Sequence, residues 1–169
     1  MTRFFTALVA LWMAALAGPA TALSCVKPDV ARTYQELDAA SETYVAVHGR
    51  LFFDPAGLPE GGAENQQSTP QSTKLPAWLS GRSLSPAGFV TRFEKPIVLD
   101  VRCLGPWCPS AEPGAEVLAF VEAREGAHVL VLDPCYGKVF FEPGEQMLER
   151  AASCMRGEGC APDSDGGGD

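Results

Sequence analysis

Six cysteines restrict the folds open to this chain more than any other feature. They stand at Cys25, Cys103, Cys108, Cys135, Cys154 and Cys160. An even number of cysteines in an exported protein favours disulfides, although spacing alone leaves the connectivity open. Two pairs lie close in sequence, and local pairing of each is the economical solution. The predicted bridges are Cys103 with Cys108, Cys154 with Cys160 and, by what remains, Cys25 with Cys135.

Residues 1–22 indicate the compartment in which those cysteines would oxidise. Arg3 precedes an apolar run from Phe4 to Leu16, and Ala20-Thr21-Ala22 forms the small-x-small pattern that signal peptidase reads. The run is shorter than the roughly 20 residues that an apolar helix needs to span a bilayer. We therefore expect a Sec-type signal peptide, cleavage after Ala22, and a periplasmic or secreted mature protein.

The mature chain is strongly acidic. Removal of residues 1–22 takes away one charged residue, Arg3, so 12 Lys and Arg remain against 21 Asp and Glu, a formal charge of -9. Binding to nucleic acid or to an anionic membrane depends on Lys and Arg, so this balance argues against both partners. We expect a single domain over residues 23–160 and, because no second apolar span follows, no transmembrane anchor in the mature chain.

The first half of the domain changes from helical to alternating periodicity. Asp29 can cap a short helix that ends near Ala40, and residues 43–53 alternate as a strand does. Gly49 interrupts the apolar face of that strand, which predicts a bulge or a sharp bend. Residues 55–73 are rich in Gly, Pro, Gln, Ser and Thr, so we expect a mobile surface loop.

The second half predicts short strands followed by a helix. Arg124-Glu125-Gly126 has the composition of a hairpin turn, Pro143-Gly144 opens a helix with one apolar stripe, and residues 161–169 predict a disordered acidic tail. The expected strands cover 77–84, 97–103, 117–123, 128–132 and 138–141. We predict a mainly β fold, a small closed or partly open barrel of five or six strands with a short N-terminal helix and a C-terminal helix.

Order and spacing over about residues 24–154 resemble a known family. The residues that carry the resemblance are Ser24-Cys25, the strand 44–50, Val117-Leu118-Ala119-Phe120-Val121 and the segment 129–135 that ends in Asp133-Pro134-Cys135. They are similar to the netrin-like family, which includes the amino-terminal domain of tissue inhibitors of metalloproteinases and related bacterial secreted proteins. The resemblance implies an OB-type β-barrel with helices packed on it, and an amino-terminal cysteine tied to a cysteine that closes a barrel strand.

The amino-terminal segment departs from the inhibitors of that family. Those inhibitors begin at a cysteine whose free amine and carbonyl can chelate a protease zinc, and a second cysteine follows two places on. Here Leu23 and Ser24 precede Cys25 after the predicted cleavage, and Val26-Lys27 follows it. The chelating wedge is therefore missing on this assignment.

Residue types and spacings do not predict a catalytic or metal site. His48 and His128 are the two histidines, and neither has a partner nucleophile or carboxylate in a recognised motif. Cys103 and Cys108 bracket Trp107 in a way that resembles a thioredoxin active site, but the spacing is wrong and no βαβ unit surrounds them. We expect no enzymatic activity, no cofactor and no metal.

Four aromatic residues are harder to assign. Core packing is the expected role of Trp78, Trp107, Phe89 and Phe93, because aromatics supply much of the burial in a small barrel. The alternative is that Trp107, in a loop closed by cysteines, is an exposed contact for a partner.

The functional prediction is an exported, non-enzymatic binding or structural module whose partner is a protein or an extracellular polymer. One alternative is a metalloprotease-inhibitor-like protein. The other is a thiol/disulfide redox protein that uses Cys103 and Cys108.

Overall fold

The computed structural model describes residues 23–62, 64 and 68–163, so the predicted signal peptide with its cleavage point, and residues 164–169 of the predicted tail, lie outside the described residues. A mainly β fold with a helix at each end is confirmed. The elements, in chain order, are α1 (Val30–Asp38), β1 (Thr43–Phe53), a 3-10 turn (Pro55–Gly57), β2 (Ser72–Ser85), β3 (Gly88–Arg102), β4 (Ala115–Arg124), β5 (Ala127–Leu132), β6 (Val139–Phe141) and α2 (Glu145–Arg156).

The six strands form one sheet in the order β1-β2-β3-β5-β4-β6. A further pairing joins β1 to β4, so five strands form a closed ring and β6 pairs with β4 outside it. The pairing of β3 with β5 is parallel, and the other pairings are antiparallel.

The two faces of this sheet differ in how they are buried. The inward face carries a core of branched side chains that are fully buried, among them Val47, Leu51, Leu79, Leu99 and Leu130. On the outward face, α1 packs on β1, and α2 packs on β2 and β3, where Leu84 and Phe89 join a second core around Leu118 and Phe120. The helices therefore cover the end of the β2–β3 hairpin, whereas the middle of these two strands, around Trp78 and Pro96, is exposed.

Local signals place the two helices. Asp29 caps α1 as predicted, because its Oδ1 accepts from the backbone N–H of Arg32 at 2.8 Å. Gly157 ends α2 in the left-handed conformation, with φ of 73°, and its N–H returns to the carbonyl of Cys154 at 3.0 Å. Thr33 Oγ1 donates to the carbonyl of Gly137 at 2.9 Å, and this hydrogen bond joins α1 to the turn before β6.

The segments predicted at 77–84 and 97–103 are parts of one long hairpin formed by β2 and β3, which pair from Ser72 with Arg102 to Ser85 with Gly88. In the missed portion of β3, residues 88–96, Phe93 is the one buried residue and most others are exposed, so the regular apolar alternation of a half-buried strand is absent. The predicted loop 55–73 also contains the Pro55–Gly57 turn and the start of β2 at Ser72.

The prediction of a bulge at Gly49 is wrong. The register between β1 and β2 runs without a shift from Val47 to Phe53, and Gly49 lies opposite Gly81. A Cβ at Gly49 would lie 2.3 Å from the carbonyl oxygen of Ser80, and a Cβ at Gly81 would lie 2.1 Å from that of His48. The glycine pair therefore permits a close approach of two backbones.

We expect Gly49→Ala to lower the free energy of unfolding by at least about 2 kcal/mol, because the new methyl group meets backbone atoms that cannot move aside. Chemical denaturation followed by circular dichroism measures the change. Gly137→Ala is the matched control, since a Cβ there meets nothing within 4 Å and its backbone is not left-handed. Equal losses in the two variants would contradict the close-approach explanation.

The three disulfides are Cys25–Cys135, Cys103–Cys108 and Cys154–Cys160, with Cα–Cα distances of 5.4, 4.3 and 4.6 Å. The first joins the segment before α1 to the turn between β5 and β6, across 110 residues of sequence. The third joins the end of α2 to the segment that follows it. That segment also lies on the helices, because Arg150 donates to the carbonyl of Ala161 at 2.6 Å and to Oδ1 of Asp163 at 2.7 Å.

Loss of the long bridge should destabilise the fold more than loss of a short one. We expect the Cys25→Ser, Cys135→Ser double variant to lose up to about 4 to 5 kcal/mol, and the Cys154→Ser, Cys160→Ser variant roughly 2 kcal/mol, because the entropy of the unfolded chain falls with the length of the closed loop. Denaturation midpoints of the oxidised proteins give the comparison. A larger loss from the short bridge would contradict this ranking.

Candidate ligand-binding face

The outward surface of β1, β2 and β3 carries a row of apolar residues that no helix covers. Phe52 lies opposite Trp78, and Trp78 lies opposite Pro96 on the next strand. Residues opposite one another on neighbouring strands share a face, with Cβ atoms roughly 5 Å apart. Phe52 is 43% exposed, Trp78 is 42% exposed, and Pro96 is also exposed. Two large aromatic side chains thus lie side by side on the surface.

The strand register brings cations to the same face. Arg50 is two residues from Phe52, and Lys74 and Arg82 lie four residues on either side of Trp78. Even-numbered positions of β2 point away from the core that holds Leu79, so these side chains surround the aromatic row. We call Arg50, Phe52, Lys74, Trp78 and Arg82, with Pro76 and Pro96, the basic-aromatic face.

The cations of the basic-aromatic face form no ion pair with an acid, although Lys74 lies opposite Asp100 on β3 and interacts with its charge. Arg50 donates to the carbonyl of Gly114 and Arg82 to the carbonyl of Val90, both at 2.9 Å. Among the described residues, no ion pair joins Arg50, Lys74 or Arg82 to a carboxylate. The charges of Arg50 and Arg82 are therefore open to a ligand, and that of Lys74 is shared with Asp100.

The two acidic side chains that β3 directs outward are already engaged. Glu94 forms an ion pair with Arg92, and this hydrogen bond holds the pKa of Glu94 below its ordinary value. Asp100 accepts from Ser72 Oγ at 2.6 Å and from Arg102 Nη2 at 2.9 Å. Burial alone would raise the pKa of Asp100, but these hydrogen bonds outweigh it and the pKa is lowered.

Asp100 is buried although the alternation of β3 directs it outward. We expect Asp100→Asn to lower the free energy of unfolding at pH 7 by about 1 to 3 kcal/mol, since it weakens a buried network. The folded pKa lies below the ordinary value of 3.8, so the stabilisation is full above that pH and is lost as the pH falls through the folded pKa. The difference between the two proteins should therefore shrink in acid.

Urea denaturation at pH 7 and at about pH 2.5 measures this difference. Glu94→Gln is the control on the same strand, and because its ion pair is exposed to solvent we expect little change in the free energy of unfolding at either pH. An Asp100→Asn deficit of equal size at both pH values would show that packing, and not the ionised network, is lost.

The predicted partner contact Trp107 lies elsewhere on the molecule. It is 42% exposed in the loop closed by Cys103 and Cys108, where Leu104 is 49% exposed. Backbone hydrogen bonds of 2.9 and 3.2 Å join Leu104 and Trp107, and the carbonyl of Pro106 accepts from the N–H of Gly62 at 2.9 Å. Hydrogen bonds within the loop and one from Gly62 therefore hold its backbone, while the side chains of Leu104 and Trp107 are exposed.

The four aromatics divide between core and surface. Phe93 is buried in the inner core, and Phe89 is partly buried against the helical core, as expected. The expectation of core packing is wrong for Trp78 and for Trp107, which are both 42% exposed. Trp78 alternates with the buried Leu79 and lies outside the helical core, and Trp107 lies in the loop closed by Cys103 and Cys108, as the alternative prediction had it. Sequence reasoning did not identify Phe52 either. Its pairing with Trp78 depends on the register of β1 with β2.

The two histidines lie in different settings. His48 Nε2 is 2.7 Å from Glu116 Oε1, and the His48 ring lies edge-on to Phe89 with centroids 5.8 Å apart. His128 packs edge-on to Phe93, and burial, followed by the charge of Lys95, lowers its pKa. Its imidazole is therefore held neutral at neutral pH.

Two clefts lie away from the basic-aromatic face. One, of about 290 Å³, lies between α1 and β1 beside Tyr34 and Tyr44. The other, of about 460 Å³, is lined by Tyr136 and Glu142, both in the left-handed conformation with φ of 53° and 49°. Among the described residues that line them there is no histidine and no cysteine.

The described residues lack two other kinds of feature. Across residues 23–62, 64 and 68–163, no three His, Cys, Asp or Glu side chains are grouped as a metal site would require. Within the same residues, neither helix has the length and apolar content needed to cross a bilayer. Comparison of the chain with protein-family models, with curated proteins and with solved structures finds no match.

Proposed function

We propose that this chain is an exported, non-enzymatic binding module of the netrin-like kind, an OB-type barrel that binds a protein or an extracellular polymer through the basic-aromatic face. The observation that carries the proposal is the exposure of Phe52 and Trp78 side by side on paired strands. Aromatic side chains are enriched at binding surfaces because they offer large contact area at a small cost in side-chain entropy.

The ring of five strands supports the OB-type part of the proposal. OB-type domains are five-stranded, partly open barrels that bind ligands through the face of their second and third strands and the neighbouring loops. Here β2 and β3 form the longest hairpin of the chain, and their outward side carries Trp78, Pro76 and Pro96. The location of a binding face still rests on these side chains, because a fold alone does not imply a function.

The disulfides support export. Disulfides form and persist in the periplasm and outside the cell, and they are rare in reducing compartments. None of the three disulfides lies on the basic-aromatic face. One joins the amino-terminal segment to the turn after β5, one closes the loop after β3, and one joins the end of α2 to the segment that follows it. Bridges at the periphery add rigidity without occupying the surface.

Two other functions remain as alternatives. An inhibitor acting through its amino terminus needs Cys25 to be the first residue, and amino-terminal sequencing of the secreted protein decides between a start at Leu23 and one at Cys25. A redox protein needs an accessible dithiol, whereas Cys103 is buried. Alkylation of the native protein, before and after mild reduction, tests that role.

The loop of Leu104 and Trp107 is a second candidate contact, because it is rigid and its two apolar side chains are about half exposed. Trp78 and Trp107 are the two tryptophans of residues 23–169. Replacing one by Phe therefore leaves the other as the single fluorescent reporter of its own surface.

We expect a ligand of the basic-aromatic face to change the emission of Trp78 in the Trp107→Phe protein and to leave Trp107 unaffected in the Trp78→Phe protein. Trp78→Ala should weaken binding about tenfold, since a central aromatic contact contributes at least about 1 kcal/mol to binding. Trp107→Ala is the matched control, with the same exposed fraction of 42%. Emission changes confined to Trp107 would move the binding site to the disulfide loop.

A further inference from the structure

The basic-aromatic face reverses the charge of the rest of the molecule. The outward side of β1, β2 and β3 carries five of the 12 Lys and Arg beyond residue 22, and two of the 21 Asp and Glu. The five cations are Arg50, Lys74, Arg82, Arg92 and Arg102, and the two acids are Glu94 and Asp100. An acidic chain thus carries an excess of cations on the outward side of these three strands.

Ion pairing within the face involves two of its five cations. Arg92 and Arg102 are paired with the two acids, as described above, and Lys74 lies opposite Asp100 and interacts with its charge. Glu116, the neighbour of Arg50 on β4, is bonded to His48. Five cations against two acids leave an excess of three positive charges on the face around Phe52 and Trp78.

The spacing of these charges fits an extended ligand. Lys74 and Arg82 are each four residues from Trp78 on β2, which places them about 13 Å away along the strand in opposite directions. Arg50 lies two residues before Phe52 on the same face of β1, opposite Ser80. A ligand that touches all three cations passes over the aromatic row and covers about 26 Å of strand.

We propose that the basic-aromatic face binds an acidic polysaccharide built from uronate units, an inference that rests on the proposed function. The sugar ring offers a flat face of C–H groups to Trp78 and Phe52, and its carboxylate suits the paired N–H donors of Arg50 and Arg82. The hydroxyl of Ser80, between Trp78 and Arg82 on the strand, can bond to sugar hydroxyls. The prolines beside the row keep the surface rigid.

Other anionic polymers fit less well. An acidic peptide gains affinity by adding a strand to a sheet edge or by placing side chains in pockets. Over Leu75–Ser83, β2 is paired with β3, and over 77–83 it is also paired with β1, so this part of the face has no free edge. Nucleic acid carries a denser run of charge, and the remaining surface, with seven Lys and Arg against 19 Asp and Glu, repels it.

The test uses the oxidised mature protein carrying Trp107→Phe, so that Trp78 reports binding. Polygalacturonate and alginate oligosaccharides are titrated beside a neutral maltooligosaccharide, poly-glutamate and single-stranded oligo-dT. We expect the uronate oligomers to change Trp78 emission with an affinity that falls as salt rises. The neutral sugar should bind at least tenfold more weakly.

Charge variants separate this inference from the proposed function. Lys74→Gln with Arg82→Gln should lower the affinity for uronate oligomers at least tenfold. The matched control is Lys27→Gln with Lys95→Gln, which removes the same charge from exposed positions away from the face and should leave the affinity unchanged. Lys95 lies opposite Leu79 and its Nζ is 5.5 Å from the Phe93 ring centroid, so it belongs to the other side of the sheet.

Each outcome has a distinct meaning. Suppose that neutral and uronate oligomers bind equally, and that Trp78→Ala weakens binding whereas the double variant Lys74→Gln, Arg82→Gln does not. This result would overturn the inference about charge and would leave the proposed function standing. Binding of oligo-dT or poly-glutamate without the uronates would reject the polysaccharide. Uronate binding that changes Trp107 emission alone, measured in Trp78→Phe, would reject the face itself. No response to either uronate would overturn the inference.

Discussion

The pairing of β1 with both β2 and β4 is the constraint on which the rest of the structure depends. Residues 47–51 are paired on both sides, and this double pairing closes five strands into a ring. It is possible because Gly49 and Gly81 allow two backbones to approach where any Cβ would overlap a carbonyl oxygen. Closure gives the inward side chains a common core and leaves the outward side chains to be covered by something else.

That outward surface is divided by the helices. α1 and α2 pack on each other and on the part of the ring that contains Phe120 and Leu118, and the disulfides of Cys25 and Cys154 hold the adjoining segments there. Two short helices cover only part of a five-stranded ring. The middle of β2 and β3, around Trp78 and Pro96, is open, and its exposed side chains are aromatic, cationic or proline.

Electrostatics on the open part follow from the same register. Arginines two residues away on the same strand engage Glu94 and Asp100, so the acids of β3 are satisfied locally. Arg50 and Arg82 bond to backbone carbonyls and keep their charge available. A chain that composition alone excludes from anionic partners therefore presents a positive surface, because net charge says nothing about how charge is distributed.

The sequence by itself determined the local elements. Alternation set β1 at 43–53, Asp29 set the start of α1, and the close cysteine spacings favoured the two short bridges, because each of these depends on neighbours in the chain. The pairing of Cys25 with Cys135 followed as the one that remained. The exposure of Trp78, the burial of Asp100 and the meeting of Phe52 with Trp78 depend instead on strand register and on which side of the ring the helices cover. Those contacts join residues distant in sequence, so only the tertiary structure decided them.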